Sequence, residues 1–113
     1  MINRDLVFIE HILDMIRDID QSTKEITKEK FISNIDIRDA NVRRLEIIGE
    51  AVKNISDVLK KQHPELEWKR IAGFRDVIIH KYFDVDLDVV WAIIKIDLPI
   101  LKSKLEVIKK NLI

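Results

Sequence analysis

The chain has 113 residues, 47% of them hydrophobic and 35% charged, with 20 basic side chains balanced by 20 acidic ones. Those proportions exclude a disordered chain and describe one globular domain, residues 1–113, large enough to bury a core and small enough that self-association would help it. The absence of cysteine excludes disulfides and thiolate metal sites, which suits a reducing cytosol, and zero net charge argues against a protein that lives by nonspecific adhesion to nucleic acid.

Two glycines and two prolines are the only strong punctuation, so nearly the whole chain is expected to be helical. Charges interrupt every apolar stretch, and Arg4, Asp5 and Glu10 break up the only place for a signal peptide, so no membrane segment is expected. Residues 3 to 20 carry Leu6, Ile9, Leu13 and Ile16 at helical spacing, widened by Ile12 and Ile19. Ser22 and Thr23 mark a break, and Thr27 opens a short helical piece ending near Phe31 or Ser33. Asp36 is the expected N-cap of a long helix whose stripe runs Ile37, Ala40, Arg44, Ile48, Ala51, Ile55 and Val58, closing at His63-Pro64. Leu66 to Tyr82 or Phe83 reads as the next helix. Asp84 or Asp86 then caps a last long segment through Ile93 to Ile113, with a kink expected at Pro99. The fold class is all-α, an up-and-down bundle of four to five helices with neighbouring long helices antiparallel.

The chemistry concentrates in Gly73-Phe74-Arg75-Asp76-Val77-Ile78-Ile79-His80-Lys81-Tyr82. At 100° per residue, Ile71, Phe74, Ile78 and Tyr82 share one helical arc, while Gly73, Asp76 and His80 fall on the opposite one. Asp76 and His80, four apart on a helix, would be surface neighbours. The carboxylate would then hold one imidazole nitrogen and leave the other free for proton transfer. Arg75, on the flank of the buried arc, has the reach to bring its guanidinium to a phosphate near His80.

This run resembles the signature of the HEPN superfamily, and most of all the HepT-like toxins, the HEPN partners of minimal nucleotidyltransferases. The likeness extends through Glu46-Ile47-Ile48-Gly49-Glu50-Ala51, Trp68, Ile71-Ala72-Gly73-Phe74-Arg75-Asp76, His80-Lys81-Tyr82-Phe83, Val85-Asp86-Leu87, Trp91 and Asp97-Leu98-Pro99, roughly residues 40 to 101. It implies a homodimeric helical domain with Arg75 and His80 as catalytic residues, supported by Asp76. It also implies a cognate nucleotidyltransferase antitoxin that silences the toxin by transferring AMP to a tyrosine matching Tyr82.

The activity that the motif and its family resemblance suggest is RNA cleavage without a metal or cofactor. The ribose 2′-hydroxyl attacks the adjacent phosphorus, which calls for a base at that hydroxyl and an acid at the 5′-oxygen. An imidazole can serve either step, and a twofold dimer would supply two copies of His80 across one cleft. Arg75 would stabilise the charge building on the phosphoryl oxygens. Two rival readings keep the helical dimer: a non-enzymatic subunit of a nucleotidyltransferase pair that binds nucleotide or substrate, and a structural dimer in which the polar trio is a satisfied network.

The remaining polar residues have plainer roles. Arg43-Arg44, Lys60-Lys61, Lys69-Arg70 and Lys109-Lys110 read as solvated helix faces, forming a patch only if the second and third pairs converge near the His80 helix. Gly73 implies close helix packing within the chain or the approach of a second subunit. Glu50 is a candidate partner for Arg43 or Arg75. Trp68 and Trp91 are expected in the core, and His11 and His63 have no ligand-like companions. No spacing suggests a metal site or a phosphate-cradling glycine loop.

Overall fold

Asn3 opens the first helix: its Oδ1 accepts the N–H of Leu6 at 3.2 Å, and α1 runs Arg4–Thr23. The computed structural model describes residues 3–79 and 85–113. Ile9, Ile12, Ile16 and Ile19 form the buried stripe of α1, while Leu6 and Leu13 are only half-buried at its margins. Thr27 caps α2 (Lys28–Ser33) through a 3.1 Å bond from the Lys30 N–H.

The cap of the second long helix is Asn34, two residues before the expected Asp36. Asn34 closes α2 and opens α3 (Ile35–Lys53), its Oδ1 accepting from the Ile37 N–H at 3.1 Å. Asp36 falls in the first turn, where its charge complements the helix dipole. The helix also ends earlier than its apolar stripe suggests. Asn54 stops it by donating Nδ2 to the Glu50 carbonyl at 2.9 Å, and Ser56 restarts the chain as the cap of α4 (Asp57–Gln62). Short polar side chains compete with the helical ladder in this way. The break shifts the phase: Ile55 and Leu59 are buried, and Val58, the last expected member of the stripe, is 68% exposed.

Side-chain bonds set the directions of the long helices. Ser22 and Asn41 bond each other near one end of the α1–α3 pair, while the Ser56 N–H and Oγ donate to Asp5 at 2.8 and 2.6 Å near the other, so the two are antiparallel. Asp86 caps α7 (Leu87–Ala92), which continues through a π-helical turn, Ile93–Asp97, into α8 (Leu98–Leu112). The disturbance expected at Pro99 takes the form of that widened turn. Proline has no N–H for the α ladder and its ring collides with the carbonyl four residues back. Lys95 donates to the Thr23 carbonyl and Lys109 approaches Glu10, which makes α8 antiparallel to α1 as well.

The all-α expectation holds, with three long helical runs flanked by short segments among the described residues. Ile9, Phe31, Leu45, Ile48, Phe74, Ile93 and Leu105 meet in the core. Trp91 is half-buried against Phe31, ring centroids 5.2 Å apart, with the Lys95 ammonium 4.7 Å from its centre. Among the described residues no helix is long and apolar enough to cross a membrane.

Candidate active site

The motif helix expected from Leu66 to Tyr82 or Phe83 is two short helices, α5 (Trp68–Ala72) and α6 (Phe74–Ile78), joined at Gly73. Trp68 anchors the first, buried and donating its indole N–H to the His63 carbonyl at 2.8 Å. The carboxyl end of α5 then lies directly on α3. A Cβ on Gly49 would stand 3.1 Å from the Ile71 oxygen and 3.2 Å from the Ala72 oxygen, so any other residue would make this approach give by a few tenths of an ångström. Alanine at position 49 would gain about 1 kcal/mol of helix propensity, but displacing two backbone carbonyls costs about 1–3 kcal/mol. Gly49→Ala is therefore expected to lower the urea midpoint, and a raised midpoint would mean that α5 yields freely.

Gly73 does not do the same. Its nearest neighbours are the Lys69 and Arg70 carbonyls of its own turn and the Asp76 carboxylate, so no described residue of another helix presses on it. Among the described residues, intrachain helix packing is thus not what its missing side chain serves. The Gly73 carbonyl instead accepts from the Asp76 and Val77 N–H groups and starts α6.

Burial of Phe74 and Ile78 fixes the roll of α6, as the arc through Ile71, Phe74 and Ile78 required. Arg75 and Asp76 are left exposed. Arg75 is therefore not on the edge of the buried face, and neither side chain has a hydrogen bond or ion pair among the described residues. Glu50, a candidate partner for an arginine, pairs with Lys53 at 3.3 Å instead.

The helix stops at Ile78. Ile79 is extended and forms an antiparallel bridge with Val85, while the Asp86 N–H satisfies the Ile78 carbonyl at 2.8 Å. Three successive β-branched residues, Val77-Ile78-Ile79, favour that exit from helix. The helical four-residue relation expected between Asp76 and His80 is therefore not supported by the backbone. His80, Lys81, Tyr82, Phe83 and Asp84 lie outside the described residues, so the expectations placed on His80 and Tyr82, and on Asp84 as a cap, fall there too. What is described is the frame: Ile79 and Val85 are pinned together, next to the outward-facing Arg75 and Asp76.

Beside α6 two of the basic pairs that read as solvated helix faces come together. Lys60 and Lys61 of α4, with Lys69 and Arg70 of α5, line an open groove of about 1120 Å³. Its floor is Leu66, Trp68, Ala72 and Val77, and Lys53 and Asp57 complete the walls. The contribution of Lys53 was not readable in advance, because its place depends on the chain turning at Asn54–Ser56. On the other side of α5, Arg70 binds Asp97 at 2.9 Å, tying α5 to the π turn. The hydrogen bond that Arg70 donates to Asp97 raises the guanidinium pKa above its ordinary value, so Arg70 stays charged. Nearby, Glu65 is held below the usual carboxylate range, chiefly by its own backbone N–H, with a lesser contribution from His63 at 3.2 Å.

The profile described as Ribonuclease HepT-like matches residues 12–108. "Probable ribonuclease HepT" of Thermococcus cleftensis is 44% identical over 103 residues, covering 91% of this chain and 94% of that protein. "Putative RNase MJ0125" of Methanocaldococcus jannaschii is 42% identical over 113 residues, covering 99% and 97%. A longer protein of the same organism, "Gamma-glutamylcyclotransferase and putative RNase MJ0434", is 39% identical over 106 residues, and this chain spans about half of it, 48%. No solved structure matches the chain. A profile match over most of the length, together with these full-length similarities, places the chain in the HepT-like ribonuclease family.

Proposed function

We propose that this protein is a metal-independent endoribonuclease, the toxin of a toxin–antitoxin pair, cleaving RNA at a site composed across a twofold dimer. The observation that carries the reading is the presentation of Arg75. A guanidinium with no partner among the described residues projects from a helix whose roll is locked by two fully buried side chains, in a chain of a ribonuclease family. An uncommitted guanidinium on a rigid base is a phosphate receptor in waiting.

In the reaction, one His80 takes the proton of the ribose 2′-hydroxyl as its oxygen attacks phosphorus. The bond to the 5′-oxygen breaks, and His80 of the other subunit protonates that leaving group. The products are a 2′,3′-cyclic phosphate and a free 5′-hydroxyl. Arg75 stabilises the extra negative charge of the pentavalent intermediate, and Asp76, one residue away on the same exposed turn, supports the imidazole. A partner minimal nucleotidyltransferase silences the enzyme by transferring AMP from ATP to the Tyr82 hydroxyl, releasing pyrophosphate. The added anion competes with substrate for Arg75.

The test is incubation of the purified protein with single-stranded RNA in excess chelator, with end-group analysis of the fragments. Cleavage leaving 2′,3′-cyclic phosphate ends is expected, lost on AMP transfer to the wild type and retained in Tyr82→Phe treated in the same way. Binding of nucleotide without any cleavage would instead support the non-enzymatic subunit.

A further inference from the structure

The groove between α4 and α5 is not needed to explain the chemistry at Arg75, yet it gathers an excess of positive charge. Five cations, Lys53, Lys60, Lys61, Lys69 and Arg70, face two carboxylates, Asp57 and Glu67, an excess of three positive charges on a chain whose net charge is zero. Two of the five are engaged: Lys53 with Glu50 at 3.3 Å, and Arg70 with Asp97 at 2.9 Å. Lys60, Lys61 and Lys69 have no ion pair or side-chain hydrogen bond among the described residues, so the excess is carried by three uncommitted ammonium groups.

Beneath those charges the floor is apolar, and its far end is Val77, three residues before His80 in the chain. At about 1120 Å³ the groove exceeds the roughly 1,000 Å³ upper range of small-molecule pockets, and it is open rather than enclosed. Ammonium groups along a rim with apolar surface below suit a ligand that alternates phosphates with flat, weakly polar faces. That is an unpaired nucleic-acid strand. Duplex would bring its phosphates but keep its base faces stacked away from the floor.

We propose that this groove is the track for single-stranded RNA flanking the scissile bond, with Lys60, Lys61 and Lys69 contacting successive phosphates and Leu66, Ala72 and Val77 underlying the bases or sugars. The assignment rests on the ribonuclease reading for its substrate but on the groove alone for its binding. It resolves the apparent conflict between an RNA ligand and a neutral chain: the charge is balanced overall and concentrated locally.

The experiment uses a 20-nucleotide single-stranded RNA with 2′-O-methyl riboses, which binds but lacks the attacking hydroxyl, beside the same RNA unmodified. The variant K60A/K61A/K69A is compared with K24A/K102A/K110A, which removes the same charge from exposed positions outside the groove. The groove variant is expected to weaken binding of the blocked RNA by about tenfold or more at low salt, and to reduce the slope of log affinity against log salt by about 2, as loss of three single-strand phosphate contacts requires. KM for the unmodified RNA rises with kcat nearly unchanged, and the control variant resembles wild type in every measure. Equal weakening by both variants, or by neither, overturns the groove, as does a change in oligomeric mass confined to the groove variant, which would make this face a contact between copies. Cleavage by wild type with groove-independent binding leaves the nuclease standing and removes the track. Groove-dependent binding by a wild type that never cleaves does the reverse.

Discussion

His80→Ala is expected to lower kcat for RNA cleavage by about 10²- to 10⁴-fold, the usual contribution of a general acid–base group. Circular dichroism and the dimeric state should be unchanged. Arg75→Ala is expected to follow at about 10²- to 10³-fold, the scale of a lost charge-stabilising donor. The Arg75 side chain is exposed and makes no described hydrogen bond or ion pair, so its removal should shift stability by no more than about 0.5 kcal/mol. That separation between activity and stability is the useful signature. Should either alanine variant retain full activity, the composite site fails; should either lose activity only in proportion to lost helicity, the polar residues are a structural network.

Phe74→Ala should behave in the opposite way. Phe74 is fully buried and lies immediately before Arg75 on α6. Its truncation is expected to cost about 3–5 kcal/mol, the transfer loss plus the cavity left behind. Small domains have a total stability of about 5–15 kcal/mol, so much of the margin would go. A urea titration should show a sharply lower midpoint with little change in slope. Activity at low temperature should fall as well, because the roll of α6 aims Arg75. An unmoved midpoint would mean that the cluster around Phe74 is not what holds this helix.

The sequence was most readable where structure is local. The α1 stripe, Thr27 before α2, Asp86 before α7 and the arc through Ile71, Phe74 and Ile78 all depend on residues a few positions apart. What escaped depends on distant partners. Nothing near Ser56 announces that Asp5, 51 residues earlier, will hold it and end the preceding helix. Likewise Ile78 ends α6 because Val85 and Asp86 return to meet it, and a periodicity argument carries the helix past that point. Gly49 illustrates the same limit. Its role is set by two carbonyls more than twenty residues away, whereas the more conspicuous Gly73 serves only its own turn. Arg75 and Asp76 were legible as residues but not as a shared exposed turn, because Arg75 was assigned to the margin of a longer helix. The lysine pairs were legible as charge, while their meeting required knowing where α3 ends.

The clasp between Asp5 and Ser56 bears on the order in which the molecule assembles. Both carboxylate oxygens of Asp5 are committed to residue 56, whose hydroxyl in turn caps α4. The helix bearing Lys60 and Lys61 thus hangs from the first turn of the chain, and it is secured only when a long loop has closed. During synthesis Asp5 emerges before that partner and waits for it. A tag fused tightly against residue 3, or a trim that takes Asp5, would disturb a surface far from the point of surgery.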